Sequence, residues 1–391
     1  MNLPIKKIVG ETPYEKRDSF DSFSSRLGRE VISKQRERSR LLLQETMANA
    51  NFTKNDQEIL RLIFQELSKE NSEERLFDIT GMAAEEMTTL EDYQVTPYLI
   101  HRYRYEIHPK ENRLTDNPPY LQIEPTSICN FRCIFCYQAD KSFSDKRKGH
   151  MGNMGFSLFK QIVDQIEGEI EFLSLASRGE PLICPDIVHM LEYCEGKFLS
   201  LKINTNASLL TEETAHAILS GGVRTCVFSV DSADEELFKQ LRVNGDLDQV
   251  KKKVELFYEI KEKHYPHSKL ITRASGVYVD ERQKIGSMRE FWGGMVDQVT
   301  FVKYNPWENT YENKPTQIDS PCTDLWRRMF IWYDGTVNPC DCDYKSTLSV
   351  GNIANDSISD LWRSPAYSKL RKDHLSLARK SVEPCRRCFF V

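Results

Sequence analysis

Runs of strand-forming residues alternate with helix-forming runs from residue 120 onward, and this alternation limits the possible folds more than any other feature. The β-rich runs are Tyr120–Glu124, Ile170–Leu175, Leu199–Ile203, Cys226–Val230, Ile271–Val279 and Val299–Val302. Helical periodicity occupies the intervals, at Phe156–Ile166, Ile187–Cys194, Glu212–Leu219, Glu235–Leu241, Leu247–Lys263 and Glu281–Trp292. Alternation of this kind predicts a parallel sheet with right-handed crossovers. We therefore expect an α/β fold, an open or partial barrel with six strands.

In such folds the chemistry lies at the carboxyl ends of the strands, and the cysteines follow this rule. The chain has 11 cysteines among 391 residues, and none precedes Cys129. Three of them lie between Cys129 and Cys136, and five lie in the last seventy residues. In a chain without a secretory signal, clustered cysteines favour metal binding or redox chemistry over disulfides. The distribution predicts two separate sites.

The first cysteine group directly follows the first predicted strand and has the spacing C-x3-C-x2-C, with Cys129, Cys133 and Cys136. Three thiolates suit a soft metal centre. A structural zinc ion normally takes four protein ligands, and the nearest further candidate is His150, in a charged loop. A 4Fe–4S cluster held by three cysteines would keep one iron open. The number of ligands favours a reactive cluster, with a zinc site or a buried cysteine group as the alternative.

This motif resembles the signature of the radical S-adenosylmethionine (SAM) superfamily, in which an aromatic residue precedes the third cysteine, as Phe135 does here. The resemblance implies that the amino and carboxylate groups of SAM bind the open iron and that Phe135 lies beside the adenine. It also implies one-electron cleavage of SAM to methionine and a 5′-deoxyadenosyl radical, which removes a hydrogen atom from the substrate. The protein would supply position, redox tuning and exclusion of solvent.

The segment after the second predicted strand resembles the Gly-Gly-Glu segment of the family, which accepts hydrogen bonds from the SAM amine. It comprises Ser177, Arg178, Gly179 and Glu180, and Arg178 replaces the first glycine. A glycine suits this position because backbone must approach a ligand closely. The resemblance therefore implies that this segment contacts the cofactor.

Polar residues at three further strands complete the predicted cofactor site. Asn204 and Asn206 end the third strand, and Ser229 and Asp231 end the fourth; both segments resemble family segments that reach the ribose or the substrate. Caps or turns of ordinary structural purpose are the alternative for each. Arg273, in the fifth strand, could pair with the SAM carboxylate in two-point geometry, or it could be a surface arginine.

The C-terminal cysteines have the pattern C-x12-G-x4-C followed by a distant C-x2-C, and they resemble the SPASM/twitch auxiliary-cluster domains of the same superfamily. A full SPASM domain carries further cysteines that this chain lacks, so the resemblance implies the twitch type with one auxiliary 4Fe–4S cluster. Its implied ligands are Cys322, Cys340, Cys385 and Cys388. Taken alone, these four residues would equally suit zinc. The spacing is closest to that of a family member that oxidises an aminocyclitol alcohol to a ketone.

A cluster with four cysteine ligands leaves no iron open and is suited to carrying an electron, so the net reaction would be a two-electron oxidation. Cys342 lies two residues from an implied ligand. It could exchange with that ligand, or return a hydrogen atom to a substrate radical and so make the enzyme an epimerase. Most of the other cysteines are expected to be small buried side chains.

Residues before the predicted barrel lack a catalytic constellation and are expected to be mainly helical. Thr53 is a predicted N-cap for a helix over Lys54–Lys69, and Glu15–Ala48 carries a weak apolar stripe. A polar, proline-containing run at residues 115–119 indicates a boundary. We predict three domains: residues 1–117 (helical), 118–310 (barrel) and 311–391 (auxiliary cluster).

The net charge and the predicted reaction limit the kinds of partner that we expect. The formal net charge of -5 gives no sign of a nucleic-acid binder, and no apolar run is long enough to span a membrane; we expect a cytoplasmic protein. We predict a radical SAM oxidoreductase that oxidises or epimerises a small polar substrate, such as a sugar or aminocyclitol. It would use SAM, two 4Fe–4S clusters and an electron donor such as flavodoxin or ferredoxin. The alternatives are a ribosomal-peptide maturase and a non-catalytic iron–sulfur or zinc protein.

Overall fold

A computed structural model describes residues 4–7, 20–47 and 52–391. Its backbone contacts divide the chain into two compact units, one comprising residues 25–115 and the other residues 1–24 and 116–391. Each unit is described by itself. The predicted division into three domains stays a prediction.

The unit of residues 25–115 is helical in its described part. Its helices are α1 (Glu30–Met47), α2 (Lys54–Ser68), α3 (Gly81–Thr88) and α4 (Asp92–Glu106). Thr53 caps α2 as the sequence predicts, because its side chain accepts a hydrogen bond from the Asp56 backbone N–H. The apolar stripe of α2 is buried, including Ile59 and Ile63.

The other unit is a mixed α/β structure, as predicted. Its strands are β1 (Phe20–Ser25), β2 (Tyr120–Ile123), β3 (Arg132–Cys133), β4 (Phe172–Leu175), β5 (Ser200–Thr205), β6 (Val223–Ser229), β7 (Arg242–Val243), β8 (Ile271–Tyr278), β9 (Gln298–Lys303), β10 (Arg328–Ile331), β11 (Thr336–Asn338) and β12 (Gly351–Asn352). Its helices are α5 (Lys141–Ser144), α6 (Phe156–Ile166), α7 (Ile187–Tyr193), α8 (Glu212–Ser220), α9 (Glu235–Leu241), α10 (Leu247–His264), α11 (Ile285–Trp292), α12 (Ile358–Trp362) and α13 (Pro365–Leu375).

The six predicted strands form a continuous parallel array in the order β2-β4-β5-β6-β8-β9. The order follows the chain because each strand returns to its neighbour through a helical crossover. Their buried residues are apolar on the helix-facing side, and the helices α6, α7, α8 and α10 bury matching stripes. The array is the predicted partial (β/α)6 barrel.

The C-terminal region extends this sheet, which the sequence did not indicate. Strand β10 pairs with β2 in parallel, and β11 and β12 follow in antiparallel order, so the described sheet has ten strands. Backbone N–H groups of Tyr120 and Glu124 donate to the carbonyls of Arg327 and Ile331. The auxiliary region is therefore hydrogen-bonded directly to the first barrel strand.

One expectation about the N-terminal region is wrong. The stretch Glu15–Ala48, predicted as one weakly amphipathic region, contains strand β1 before helix α1 begins at Glu30. Strand β1 lies beside β9 at the other edge of the ten-stranded sheet. Edge pairing of this kind satisfies backbone groups through tertiary contact and needs little side-chain periodicity. Residues 15–19 lie outside the described residues. Among the described residues, the helices are too short or too polar to cross a membrane.

Candidate functional site

A cavity of about 320 Å³ lies at the carboxyl ends of the parallel strands. The three cysteines of the C-x3-C-x2-C motif line it together, as the sequence predicts. Among the described residues, this lining includes no histidine and no fourth cysteine. The earlier candidate His150 instead stacks on Phe143, with ring centroids 5.6 Å apart. The donor set is therefore a group of three sulfurs facing an open space.

The loop that carries these cysteines is held in place by its own backbone and by the segment around Gly152. Ser127 and Gly152 exchange hydrogen bonds, and the Thr126 hydroxyl donates to the Gly152 carbonyl at 3.0 Å. Gln138 donates from its side-chain amide to the carbonyls of Ser127 and Arg178. These hydrogen bonds fix the loop through its backbone and the side chains of Thr126, Ser127 and Gln138.

Burial favours the neutral form of the three thiols when no metal is bound. Burial raises the pKa of Cys129 to about 12 and that of Cys133 to about 11, and it also raises the pKa of Cys136. Thiols of this kind stay protonated at neutral pH unless a metal centre replaces the proton. The Phe131 backbone N–H lies 3.4 Å from the Cys129 sulfur and can donate to a thiolate there. These residues fit the cluster that the motif implies.

A glycine is required at position 179 because other atoms approach its Cα closely. We expected a ligand there, but the close neighbours are backbone atoms. A Cβ at Gly179 would lie 2.2 Å from the Thr126 carbonyl oxygen and 2.6 Å from that of Ile128. The backbone that approaches is thus the cysteine loop itself, in addition to any ligand. The Glu180 N–H donates to the Ile128 carbonyl at 2.9 Å, which joins the two segments.

The Arg178 side chain points to other partners, and the cofactor contact implied for this segment stays a prediction. Its guanidinium is buried and binds Glu124 in two-point geometry, and it donates to the Tyr344 carbonyl at 2.8 Å. The guanidinium carbon lies 4.1 Å from the centre of a Trp332 ring. The side chain that replaces the family glycine is therefore committed to the C-terminal region, and only the remainder of Arg178 is available to the cavity.

Glu180 lines the cavity and is oriented by the end of β5. One carboxylate oxygen accepts from the Thr205 hydroxyl at 2.6 Å, and the other accepts from the Asn206 backbone N–H at 2.7 Å. Burial raises the pKa of Glu180, while these hydrogen bonds lower it. The Asn206 side chain donates to the Asn130 side-chain oxygen at 2.9 Å. The predicted cofactor residues at β4 and β5 are thus tied to the cysteine loop.

Two predicted residues offer polar atoms that the described protein leaves without a partner. The Ser177 hydroxyl and the Asn204 amide oxygen are buried, and no hydrogen-bond partner for either lies among the described residues. Both residues line the cavity. Buried polar atoms in this state usually serve a ligand or ordered water. Ser177 also has a φ of 151°, a strained value for a residue with a side chain, as is common at binding sites.

The remaining predicted cofactor residues divide into two groups. Phe135, Ser229 and Arg273 line the cavity, and Arg273 donates to Gln298 at 2.6 Å. Asp231 does not line it, because its carboxylate is fully buried, accepts from the Val277 N–H at 2.6 Å and pairs with Arg242. In this structure the Asp231 carboxylate serves Val277 and Arg242, and its contact with the ribose or the substrate stays a prediction.

The charged side chains of the lining are mostly cationic. They are Arg178, Lys202, Arg242, Arg273 and Lys303, against the single carboxylate of Glu180. Arg178 pairs with Glu124, and Arg242 pairs with Asp231. Cationic side chains of this kind can bind the SAM carboxylate.

The implied auxiliary ligands are brought together from three separate chain segments. The charges of Cys322, Cys340 and Cys388 all act on Cys385, whose pKa is raised mainly by burial. Burial also raises the pKa of Cys322 to about 12. Cys340, with Asp341 and Cys342, offers three ligand atoms within 4.8 Å of one another. These cysteines form a second sulfur-rich site, suited to a soft metal centre.

Arg379 organises the auxiliary site, and sequence reasoning missed it. Its buried guanidinium donates to four backbone carbonyls, those of Ser320, Cys385, Cys388 and Phe390. An arginine offers five donors in a fixed planar arrangement, which suits the closing of a loop. No spacing rule could have identified it, because the partners are backbone carbonyls, which carry no sequence signal, and Ser320 lies 59 residues earlier in the chain.

Cys342 lies at the auxiliary site but outside the lining of the first cavity. Hydrogen bonds with Cys340 and Cys388 raise the pKa of Cys342, and the bond from Cys342 lowers the pKa of Cys388 to about 7. The Asn305 side chain, which lines the first cavity, lies 3.9 Å from the Cys342 sulfur. Asn305 thus stands between the two sites. A catalytic role for Cys342 stays a prediction.

Trp307 lines the first cavity, and sequence reasoning missed it. Its ring stacks on Tyr137, the residue after Cys136, with centroids 6.2 Å apart. Its other neighbour is Phe390 at 6.3 Å. The indole N–H is buried and has no partner among the described residues. Trp307 therefore borders the cavity between the two cysteine sites with a donor still available.

Family models match both cysteine regions. Residues 123–271 match the radical SAM superfamily, and residues 322–389 match the SPASM iron–sulfur cluster-binding domain. Domains of the first kind bind SAM and a 4Fe–4S cluster, and those of the second bind auxiliary iron–sulfur clusters.

Individual relatives are more distant. The chain is 22% identical over 277 residues to the S-adenosyl-L-methionine-dependent 2-deoxy-scyllo-inosamine dehydrogenase of Niallia circulans, covering 68% of this chain and 91% of that one. It is 32% identical over 114 residues to the tungsten-containing aldehyde ferredoxin oxidoreductase cofactor-modifying protein of Pyrococcus furiosus, covering 29% of this chain. In that relative and in two GTP 3′,8-cyclases the match spans 30–40% of the relative's length.

A solved structure shares the fold. Streptococcus suis SuiB bound to precursor peptide SuiA has a TM-score of 0.52 to this chain at 17% identity, covering 85% of this chain and 83% of that one.

Proposed function

Because this chain belongs to the radical SAM superfamily and carries a C-terminal SPASM domain, we propose that it oxidises or epimerises a small polar, sugar-like substrate by hydrogen abstraction. The observation that carries the proposal is the cavity at the strand ends, which presents three cysteines and buried polar atoms. When bound, the cluster supplies one electron to SAM, and the 5′-deoxyadenosyl radical so released removes a hydrogen atom from the substrate.

The protein's part in this reaction is to orient the reactants and exclude water. Cys129, Cys133 and Cys136 would hold the cluster, and Phe135, which lines the same cavity, would lie beside the adenine. Glu180 is oriented by Thr205 and Asn206 so that its carboxylate can meet the SAM amine. The Ser177 hydroxyl and the Asn204 oxygen are available for the ribose or the substrate.

The lining offers cationic side chains to the hydroxyl and carbonyl oxygens of a polar substrate. Arg273 and Lys303 face the same cavity as the cysteines, and the carboxylate of Glu180 already accepts three hydrogen bonds. The 22% identity to a dehydrogenase of an aminocyclitol supports the oxidative reaction type.

The first test asks whether SAM cleavage depends on the three-cysteine motif. We compare Cys133→Ala with Cys194→Ala, a matched control, because both cysteines are buried but Cys194 lies at the end of α7, away from the cavity. After anaerobic reconstitution, 5′-deoxyadenosine and methionine are quantified by mass spectrometry. We expect no cleavage with Cys133→Ala and wild-type cleavage with Cys194→Ala. Cleavage by both variants would refute the assignment.

The second test identifies the substrate class. The enzyme is incubated with SAM, a reductant and deuterated hexoses, inositols or aminocyclitols, and deuterium in 5′-deoxyadenosine is measured. Transfer from a hexose or inositol supports the proposal, and transfer from an aminocyclitol alone contradicts its sugar-like part. Transfer solely from a peptide encoded beside the gene would instead identify a peptide maturase.

The third test separates oxidation from epimerisation. Oxidation yields one ketone or aldehyde per SAM consumed without added oxidant. Epimerisation in heavy water places solvent deuterium on the product carbon, because a thiol hydrogen exchanges with solvent. Cys342→Ser should remove that deuterium if Cys342 returns the hydrogen atom. Retained deuterium in Cys342→Ser would exclude this role.

A further inference from the structure

Arg242 lies directly opposite a cluster cysteine because of a two-stranded ladder. Strands β3 and β7 are antiparallel, and Cys133 and Arg242 are partners in their register. The Ile134 N–H donates to the Leu241 carbonyl at 3.1 Å, which extends this pairing by one residue. One guanidinium nitrogen of Arg242 lies 3.7 Å from the Cys133 sulfur. The cation therefore faces a ligand atom of the proposed cluster.

Asp231 fixes the guanidinium from the other side. Its carboxylate contacts the Arg242 Nε, and it also accepts from the Val277 N–H at 2.6 Å. The Gln283 side-chain amide donates to the Asp231 carbonyl at 2.8 Å. Both charged side chains are buried. The pair is thus a rigid dipole with its positive end toward Cys133 and its negative end away from it.

We propose that Arg242 is a positioning residue that raises the reduction potential of the cluster held by Cys129, Cys133 and Cys136, with Asp231 setting its orientation and limiting its effect. Reduction adds negative charge to an iron–sulfur cluster, and nearby positive charge and hydrogen bonds to the sulfurs favour the reduced state. A guanidinium at hydrogen-bond distance from a ligand sulfur provides both.

Because Arg242 and Asp231 carry opposite charges, removing each one should shift the reduction potential of the cluster in opposite directions. This distinguishes control of the potential from a role in supporting the fold. Arg242→Gln removes the positive end of the dipole and should lower the potential. Asp231→Asn keeps the shape of the side chain, removes the negative end and should raise the potential. A residue that only supported the fold would lower cluster content without ordered shifts of this kind.

The experiment is a redox titration of the reconstituted protein followed by electron paramagnetic resonance, carried out without SAM. The signal of the first cluster is identified by its change when SAM is added to a parallel sample. We expect the ratio of reduced to oxidised cluster at a fixed potential to fall at least tenfold in Arg242→Gln, which corresponds to about 59 mV for one electron. In Asp231→Asn the same ratio should rise.

Two further variants keep the test decisive. Arg242→Gln combined with Asp231→Asn leaves no unpaired buried charge, and its potential should lie between those of the two single variants. Arg282→Gln removes an arginine from a more exposed pair, with Asp280, outside the cavity lining; it should leave the potential unchanged.

Unchanged potentials in both Arg242→Gln and the double variant would overturn the proposal, as would shifts of the same sign in Arg242→Gln and Asp231→Asn. If Arg242 served only the SAM carboxylate, SAM affinity would fall while the potential without SAM stayed constant, and that result would also overturn it. The outcome does not depend on the identity of the substrate, so it is independent of the proposed sugar-like reaction.

Discussion

The buried pair of Arg178 and Glu124 is expected to be a large contributor to the stability of the cofactor-binding unit. The side chains are 3% and 0% exposed, respectively. Arg178 also donates to the Tyr344 carbonyl and packs on Trp332, so one residue joins the ends of β2 and β4 to the C-terminal region. This is the position at which the family has a glycine, and the arginine is a structural addition here.

Replacing Arg178 with methionine would keep the volume but leave Glu124 buried without its cation. Glu124 would retain only the backbone N–H groups of residue 178, at 3.1 Å, and Tyr333, at 3.3 Å. Breaking a buried pair in this way costs about 3–5 kcal/mol. At roughly 2 °C per kcal/mol for a unit of this size, Tm should fall by about 6–10 °C.

The assay is thermal unfolding of the reconstituted protein, followed by circular dichroism, with Arg363→Met as the control. Arg363 pairs with Asp116 on the surface, and the two side chains are 49% and 94% exposed; such a pair contributes about 0–1 kcal/mol. Arg178→Met combined with Glu124→Gln should recover part of the lost stability. If Arg178→Met unfolded within 2 °C of Arg363→Met, the reasoning about this pair would be wrong.

Three further predictions follow from particular contacts. Trp307→Phe keeps an aromatic ring but removes the five-membered ring of the indole with its buried N–H. We expect kcat/KM to fall roughly 5- to 30-fold, about 1–2 kcal/mol, while SAM cleavage without substrate stays constant, and an unchanged kcat/KM would exclude a substrate contact through this N–H. Arg379→Met should lower iron content by about four per chain, as should removal of both Cys385 and Cys388, and full iron content in either variant would argue against the auxiliary site. Burial lowers the pKa of His108 to about 4, so the unfolded state gains a proton first as the pH falls below about 6.5. Stability should therefore decrease by about 2 kcal/mol between pH 7 and pH 5 through this residue. His108→Phe should remove that part of the pH dependence in urea unfolding, and an identical pH dependence in the variant would contradict the buried neutral state.

The barrel and the first cysteine site could be predicted because they depend on local features of the sequence, namely the periodicity of apolar residues and the spacing of the cysteines. A strand such as β5 is recognisable from its own residues, and three cysteines within eight residues must lie close together whatever the fold. Gly179 was predicted for the right physical reason, a close approach, although the neighbour is the cysteine loop. A helix over Lys54–Lys69 was predicted from its cap and its stripe, and α2 spans Lys54–Ser68.

The residues that sequence reasoning missed depend on long-range pairing. Arg242 reaches Cys133 because β3 and β7 pair across 109 positions of the chain. Strand β10 joins β2 across about 200 residues, and Arg379 closes a loop whose carbonyls come from both of its flanks. Asp231 was assigned to the cofactor because it follows a strand, and only the structure reveals the competing cation. Register and partner choice in such cases are tertiary properties.

The central claim is that the cluster at Cys129, Cys133 and Cys136 has one iron without a protein ligand, to which SAM binds. Electron–nuclear double resonance on the reduced protein with SAM labelled at its amino nitrogen and carboxylate carbon tests this directly. The account predicts hyperfine coupling from both labels, lost in Cys133→Ala and kept in Cys194→Ala. A fully formed cluster that shows no coupling to either label would contradict it.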